Sequence, residues 1–438
     1  MKQFRRWIIC ASTAAAILAA PVFAPAPLAS ATAQAQKPSV QKPSVSAPNQ
    51  RHAKKAQVPP ASAQAPKFPP RTPFTAQEDA SAVISGMPDA RFWADSAADF
   101  GRALPPQPGP WLILSTGGAD GAFGAGLLNG LSAAGARPDY AVVTGVSTGA
   151  LMAPFAFAGS RYDDALKAAY TQISAADIFE AGNTGESFVD SWPLKELIAK
   201  QITPALLADI AAEHQRGRRL FVITTDLDAD RSVVWNMGAI AAHGGDAALN
   251  LFRSVLLASG SIPGAFPPVL IDVESSGKRF AEMHVDGGVG GQFFVAPAAL
   301  MASNSGYRIP ATQLYIVVNS ALGPDFQVVE RSTPLILTKA VALAVKVDLR
   351  LMIDRSYVAA KNSGIGFNVA TIPASFNAPS RGAFDPNYMK ALFDAGYSQG
   401  KSTTPFDSEP PAFPGQSAIE PNDSGKPQSN DPKPGADK

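Results

Sequence analysis

Ser147 lies in the segment Gly145-Val146-Ser147-Thr148-Gly149, which has the pattern G-x-S-x-G. The short apolar run Tyr140–Val143 precedes it and a small-residue helical stretch follows, as in the strand–turn–helix context of a nucleophile elbow. Gly145 and Gly149 allow a tight turn, so we expect the serine hydroxyl at a helix N-terminus, where the dipole favours developing negative charge. A helix-capping serine is the structural alternative, and the context favours a nucleophile.

A second glycine-rich turn lies one predicted strand earlier, over residues 115–126. A dinucleotide site would need the pattern G-x-G-x-x-G. Gly124 and Gly126 fit the first two glycines, but Asn129 stands at the position of the third. An oxyanion hole needs only adjacent backbone N–H donors, and removal of one donor typically slows acyl transfer by about 10²–10³-fold. We therefore expect Gly117 and Gly118 to bind an oxyanion, with Gly121 completing the motif.

The general base has two candidate sources. In α/β-hydrolases the chain order is serine, acid, histidine. Three histidines follow Ser147: His214, His243 and His284. A Ser147–Asp226–His243 triad fits that order, although no local motif supports it. Asp286 is the better candidate, because it follows a short β-like run and the small residues Gly287 and Gly288 come directly after it.

Taken together, these motifs resemble those of the patatin-like phospholipases, a family of lipid acyl hydrolases with a Ser–Asp dyad and no catalytic histidine. The motifs are the glycine-rich loop at 115–121, G-x-S-x-G at 145–149 and D-G-G at 286–288. Residues 257–268, with their Ala-Ser and Phe-Pro-Pro, resemble the segment that precedes the aspartate in that family. The resemblance is close over 111–300 and looser over 312–400.

The resemblance implies roles for four residues. Ser147 would be the nucleophile, Asp286 the base, and the N–H groups around Gly117 and Gly118 the oxyanion hole. Two positions of the loop depart from the family pattern. Thr116 replaces the first glycine, and Asp120 replaces the usual arginine or lysine before the last one, which adds negative charge near the anion site.

A free aspartate, with a pKa near ~3.9, is a poor base for a serine hydroxyl at neutral pH. We therefore expect a pocket that desolvates Asp286 and raises its pKa. His284, two residues earlier on a strand, would point to the same side as Asp286. It either tunes the dyad or is a hydrogen-bonded structural histidine, and the sequence favours the second.

The sequence gives little support for a metal-binding or cofactor-binding motif. Asp226-Leu227-Asp228-Ala229-Asp230 resembles the start of a calcium loop, but Arg231 stands where the loop needs glycine and Met237 where it needs glutamate. A turn that closes a strand is the better interpretation. The chain has four histidines in all, without zinc spacing, and one cysteine, Cys10. We expect no metal and no cofactor.

Short apolar runs alternate with helical stretches along the chain: Trp111–Leu114, Tyr140–Val143, Leu220–Ile223 and Leu314–Val318. This alternation predicts an α/β protein, in which helices cover both faces of a mostly parallel sheet. With the resemblance, the expected architecture is a three-layer α/β/α patatin-like fold. Ligands bind at the carboxyl ends of such strands, where these motifs lie.

The 438 residues are 46% hydrophobic and 17% charged, and 37 basic residues balance 36 acidic ones. This balance gives no reason to expect nucleic-acid binding. Residues 1–33 have the basic start, apolar run and small-residue cleavage site of a secretory signal peptide, so we expect a periplasmic or secreted protein. Residues 34–75 form a Pro/Ala-rich linker, 76–400 the catalytic domain and 401–438 a disordered tail.

We therefore expect a serine lipid acyl hydrolase (phospholipase A or esterase) that acts through an acyl-enzyme. The alternatives are an acyltransferase on the same dyad and an impaired lipid-binding envelope protein. The expected partner is a lipid or another acyl ester, with contact to a membrane surface. A predicted helix at 334–361 places Lys339, Lys346 and Arg350 on one face, which we interpret as solvated in preference to lipid-binding. Residues 188–194 are assigned to the core in preference to a lid.

Overall fold

The computed structural model describes residues 68–182, 185–302 and 308–412. The predicted signal peptide, nearly all of the predicted linker and the end of the predicted tail lie outside the described residues, and the domain boundaries stay predictions. The described residues from Thr72 onward belong to one compact unit. Within the described ranges, no helix has the length and hydropathy needed to cross a membrane.

Eleven strands are present in the described residues. They are β1 (Arg91–Trp93), β2 (Gly109–Leu114), β3 (Val142–Val146), β4 (Glu180–Ala181), β5 (Val189–Asp190), β6 (Arg219–Asp226), β7 (Arg231–Asn236), β8 (Val269–Ser275), β9 (Lys278–Asp286), β10 (Ala311–Val318) and β11 (Gly366–Thr371).

The same described residues contain eleven α-helices. They are α1 (Ala76–Ala80), α2 (Ala97–Ala103), α3 (Gly121–Ala133), α4 (Thr148–Ala158), α5 (Asp163–Thr171), α6 (Trp192–Gln201), α7 (Pro204–Gln215), α8 (Met237–His243), α9 (Gly245–Ser259), α10 (Thr333–Ser363) and α11 (Pro386–Gly400).

Nine of the strands form one sheet whose centre is parallel, in the order β11-β10-β2-β3-β6. Antiparallel β7 and β1 extend it beyond β6. The β8–β9 hairpin joins at the end of β6, where Thr224 pairs with Asp286 and Asp226 with His284. The motifs that follow β2, β3 and β9 are thereby brought to one edge of the sheet.

Alternate residues of the central strands enter two separate hydrophobic clusters. On β2, Leu112 and Leu114 pack with the helices of one face, whereas Trp111 and Ile113 pack with α2 and α10 on the other. Strands buried on both sides are apolar at nearly every position, which is the pattern of a covered parallel sheet. The predicted three-layer α/β/α fold is confirmed.

The predicted elements differ from the observed ones mainly at their ends. The strand before the elbow begins at Val142 and continues to Val146, because Gly145 and Val146 still pair with β6. The predicted long helix corresponds to α10, but Lys339, Lys346 and Arg350 are only partly exposed, whereas many apolar side chains of the helix face solvent. In the segment predicted as core, Val189 and Leu194 are buried while Phe188 and Trp192 are exposed.

Candidate active site

Ser147 lies between β3 and α4 in a strained conformation. Its φ of 56° and ψ of −124° are rare for a residue with a side chain. Strain of this kind persists only where the surroundings enforce it and is concentrated at functional sites. The turn directs Ser147 to the positive end of α4, where Ala150 and Leu151 donate their N–H groups to its carbonyl oxygen. This is the geometry of a nucleophile elbow.

The two glycines of the motif are required by close packing. A Cβ on Gly145 would collide with the carbonyl oxygen of Gly149, and a Cβ on Gly149 would collide with the carbonyl oxygen of Leu114. The turn therefore depends on both glycines for steric reasons, independently of their flexibility.

Asp286 ends β9 and lies beside the elbow. The hydroxyl of Ser147 lies close enough to the Asp286 carboxyl group to lower its pKa, and the Gly288 N–H donates to Oδ1 at 2.7 Å. Burial raises the pKa of Asp286 to about 6, although both of these groups lower it. The desolvated aspartate expected from the sequence is thus present, and its raised pKa brings its basicity closer to that needed at neutral pH.

Gly287 and Gly288 allow this approach of strand end and elbow. A Cβ on Gly287 would collide with the carbonyl oxygen of Ile223 on β6. A Cβ on Gly288 would lie 2.8 Å from the Thr116 methyl carbon and 3.0 Å from the Asp286 carboxylate. The D-G-G motif therefore packs against both the sheet and the glycine-rich loop.

The glycine-rich loop follows β2 and enters α3. Gly118 has a φ of 57° and begins a short 3₁₀ turn that ends at Asp120. A Cβ on Gly121 would collide with the hydroxyl of Thr148, the residue after the nucleophile. The loop and the elbow are thus in direct contact, which is the arrangement that an oxyanion hole requires.

Two supporting side chains lie far from the motifs in sequence. Asn319, at the end of β10, donates its N–H to Ser115 Oγ and its Nδ2 to the Ser115 carbonyl oxygen, and its Oδ1 accepts from the Gly124 N–H. Ser259 accepts the Ser147 N–H at 3.0 Å and donates to the Ile223 carbonyl oxygen. No sequence motif marks Asn319 as part of the site. Its position directly after an apolar strand is the one signal in the sequence that points to it.

Asp120 does not place a free negative charge in the site. It is buried, the Tyr388 hydroxyl donates to its Oδ1 at 2.8 Å, and burial raises its pKa to about 7. Lys346 of α10 is close enough to lower that pKa in turn. At neutral pH the carboxyl group is therefore divided between its protonated and ionised forms.

The three histidines after Ser147 do not complete a triad with it. His243 is exposed at the end of α8, and His214 packs against Gly238, where burial lowers its pKa to about 4. His284 is fully buried and bonds Thr224 Oγ1 and Glu282 Oε2. The carboxyl group beside the Ser147 hydroxyl is that of Asp286. His284 therefore has the contacts of a structural histidine.

One group of side chains in the described part of the chain could hold a metal ion. Asp226, Glu282 and His284 place donor atoms within 4.8 Å of one another, and all three residues are buried. Arg91, however, donates to both carboxylate oxygens of Glu282, so its guanidinium already supplies a cation to this cluster. Asp226 Oδ1 accepts the N–H of Asp228 in the turn between β6 and β7, as expected of a strand-closing turn.

An apolar cavity opens beside the elbow. It is bounded by Gly118 of the glycine-rich loop and Thr148 of the elbow, and its walls come mainly from α4, α5 and α6. The apolar lining residues include Leu151, Ile173, Leu194, Leu197, Ile198 and Phe384. The cavity has a mainly apolar lining, and its volume of about 40 Å³ is well below the roughly 300–1,000 Å³ of an ordinary ligand pocket.

Comparison with known proteins bears on the same region. Residues 112–299, which include Ser147 and Asp286, match the family model described as patatin-like phospholipase. The chain is similar to the crystal structure of VipD from Legionella pneumophila, with 12% identity and a TM-score of 0.35, over 67% of this chain and 66% of that one. The chain thus spans slightly under two thirds of that structure, and no curated protein matches it. Over residues 112–299 the chain is therefore similar to the patatin-like phospholipases.

Proposed function

We propose that the protein hydrolyses acyl esters of lipids with a dyad of Ser147 and Asp286. The observation that carries this proposal is a strained, buried serine beside a desolvated carboxyl group whose pKa its hydroxyl lowers. Similarity to the family supports lipid acyl hydrolysis at the level of the family. The apolar lining of the cavity beside Thr148 suits an acyl chain, whose entry requires the walls to move apart because the cavity holds only about 40 Å³.

In the proposed reaction, the Asp286 carboxylate accepts the Ser147 proton while Oγ forms a bond to the ester carbonyl carbon. Backbone N–H groups around Gly117 and Gly118 stabilise the resulting oxyanion. Asp286 returns the proton to the departing alcohol as the ester C–O bond breaks, which leaves an acyl group on Ser147. A water molecule then transfers a proton to Asp286 as its oxygen bonds to the acyl carbonyl carbon. Asp286 returns that proton to Ser147 Oγ as the bond between the acyl group and serine breaks, which releases the carboxylic acid.

Labelling with a fluorophosphonate tests the nucleophile directly. We expect the purified protein to be labelled and to release p-nitrophenol from p-nitrophenyl esters. Ser147→Ala would abolish both, while Ser115→Ala, in the neighbouring loop, would retain the label. An unlabelled wild-type protein without esterase activity would contradict the proposal. Added glycerol would separate hydrolysis from acyl transfer, because a transferase would form glyceryl ester in place of free acid.

We also propose that the protein is exported. The support is the sequence of residues 1–33, with its basic start, apolar run and small residues near the end. N-terminal sequencing of protein recovered from the periplasm or the medium tests this proposal. An intact Met1 on a protein retained in the cytoplasm would contradict it.

A further inference from the structure

The first half of α10 is poorly packed against the rest of the protein. From Thr333 to Asp348 only Thr338 is buried, whereas Leu349, Ile353 and Ala360 in the second half enter the core. Seven large apolar residues of α10 are between 44% and 63% exposed: Ile336, Leu337, Val341, Leu343, Val347, Leu351 and Val358. An amphipathic helix of a soluble domain normally turns such residues inward.

Five of these exposed residues lie in a stripe along one side of α10, and the exposed Asp354 interrupts that side between Leu351 and Val358. With 3.6 residues per turn, Ile336, Leu343, Val347, Leu351 and Val358 fall within an arc of roughly 100°. The exposed residues Ala340 and Ala344 fill the gaps in the same arc. At a rise of about 1.5 Å per residue, the part from Ile336 to Leu351 is about 22 Å long. A contiguous apolar surface of this kind marks an interaction site.

Three basic residues of α10 lie along one edge of the stripe, whereas Asp354 lies within its arc. The helix has five basic residues and two acidic ones. Lys339, Lys346 and Arg350 share the border beside the stripe, where they bond carbonyl oxygens of Asp325, Gly323 and Leu322. The excess of positive charge complements a negatively charged surface.

Two contacts place α10 next to the candidate active site. Lys346 interacts electrostatically with Asp120, at the end of the oxyanion turn. A Cβ on Gly291, five residues after Asp286, would lie 3.6 Å from the terminal methyl of Met352 on α10. Other exposed apolar side chains border both regions: Val289 after the D-G-G motif, and Phe326 and Val328 before the helix.

We propose that α10 docks in the surface of an anionic lipid bilayer, with its apolar stripe inserted among the acyl chains and its basic border at the phosphates. This inference rests on the proposed lipid hydrolysis, because it assigns the surface that brings the dyad to its substrate. An apolar face, a basic border and a helix that does not qualify as a membrane span are the features of an interfacial helix.

Vesicle flotation of the full-length protein tests this surface. The variant Leu343→Ser/Val347→Ser/Leu351→Ser removes apolar area at exposed positions. The matched control Val83→Ser/Leu227→Ser/Leu270→Ser changes exposed apolar residues outside α10. We expect wild type and control to float with phosphatidylcholine–phosphatidylglycerol vesicles, and the α10 variant to float at least about tenfold less. Binding should also weaken when the salt concentration is raised.

Two activity measurements separate docking from chemistry. Hydrolysis of phospholipid in the same vesicles should fall about tenfold in the α10 variant, whereas hydrolysis of soluble p-nitrophenyl butyrate should stay within about twofold of wild type. Ser147→Ala should float like the wild type although it is inactive. If the wild-type protein floats but hydrolyses neither ester, the proposed function fails and the docking surface stands.

Three outcomes would overturn the docking proposal. One is an α10 variant that floats like the wild type, and another is a control variant that loses flotation equally. The third is a wild-type dimer that becomes monomeric in the α10 variant without any change in flotation, which would assign the stripe to a second copy of the chain. Size-exclusion chromatography with light scattering detects that case, and thermal unfolding verifies that both variants are folded.

Discussion

The Thr116 hydroxyl donates a hydrogen bond of 2.6 Å to Gln292 Oε1, and the Thr116 N–H donates to the Gln292 carbonyl oxygen at 2.9 Å. Gln292 in turn donates from Nε2 to the Gly288 carbonyl oxygen. Thr116 therefore links the glycine-rich loop to the loop that follows Asp286. The two halves of the candidate site are held together by this residue pair.

Thr116→Val should loosen that link without changing the size of the side chain. We expect a loss of about 1 kcal/mol in unfolding free energy and a fall in kcat of about tenfold, because one buried hydrogen bond is removed. Gln292→Met should lower the unfolding free energy and kcat by similar amounts. In a double-mutant cycle the two effects should fall short of additivity by about 0.5 kcal/mol or more, and strictly additive effects would show that the pair does not act as a unit.

Asp286→Asn should abolish turnover and stabilise the protein. Burial raises the pKa of the native carboxyl to about 6, above its value in the unfolded chain, so ionisation costs stability as the pH rises from about 4 to 6. An amide carries no such cost, so we expect a gain of about 1–3 kcal/mol in unfolding free energy at pH 8. The gain should vanish near pH 4. An equal change in unfolding free energy at both pH values would contradict a raised pKa for Asp286.

The pH dependence of kcat/KM for a soluble ester should follow the ionisation of Asp286. Because only the carboxylate accepts the serine proton, we expect activity to fall about tenfold per pH unit below about 6 and to level off above it. Asp120→Asn removes the other raised carboxyl near the site and should leave this acidic limb in place. If the acidic limb of the pH profile disappears in Asp120→Asn, the titrating group that limits activity is Asp120 and not Asp286.

Gly149→Ala should disrupt the elbow, because its Cβ would collide with backbone oxygen and carbon atoms of β2. Backbone cannot move aside as a side-chain tip can, so we expect a loss of more than about 2 kcal/mol in unfolding free energy or failure to fold. Gly182→Ala is the matched control, since a Cβ there meets no described atom within 4 Å. Similar thermal unfolding of both variants would argue against the packing described.

Leu197→Trp should shorten the acyl chains that the enzyme accepts. Leu197 lines the apolar cavity, and a larger side chain there leaves less room for a chain. We expect kcat/KM for p-nitrophenyl laurate to fall about tenfold or more relative to that for the butyrate ester. Leu227→Trp, in the exposed turn after β6, should leave the ratio unchanged. An unchanged ratio in Leu197→Trp would place the acyl chain elsewhere.

The local sequence was sufficient to predict Ser147 as the nucleophile and Asp286 as the base. The G-x-S-x-G and D-G-G motifs each occupy five residues or fewer and follow short apolar runs, and such runs specify strands whatever lies elsewhere in the chain. For the same reason the alternation of strands and helices predicted the layered fold. The roles of Ser147 and Asp286 still await the labelling and substitution experiments.

Tertiary structure decided what surrounds those motifs, because the contacts join residues more than a hundred positions apart. Burial beneath Tyr388 changes Asp120 from an exposed charge to a carboxyl group with a pKa of about 7. The side of α10 that faces solvent is set by packing of Leu349 and Ile353 against the sheet. The sequence by itself determined which groups can react, whereas long-range packing decided their protonation, their support and the surface through which a lipid would reach them.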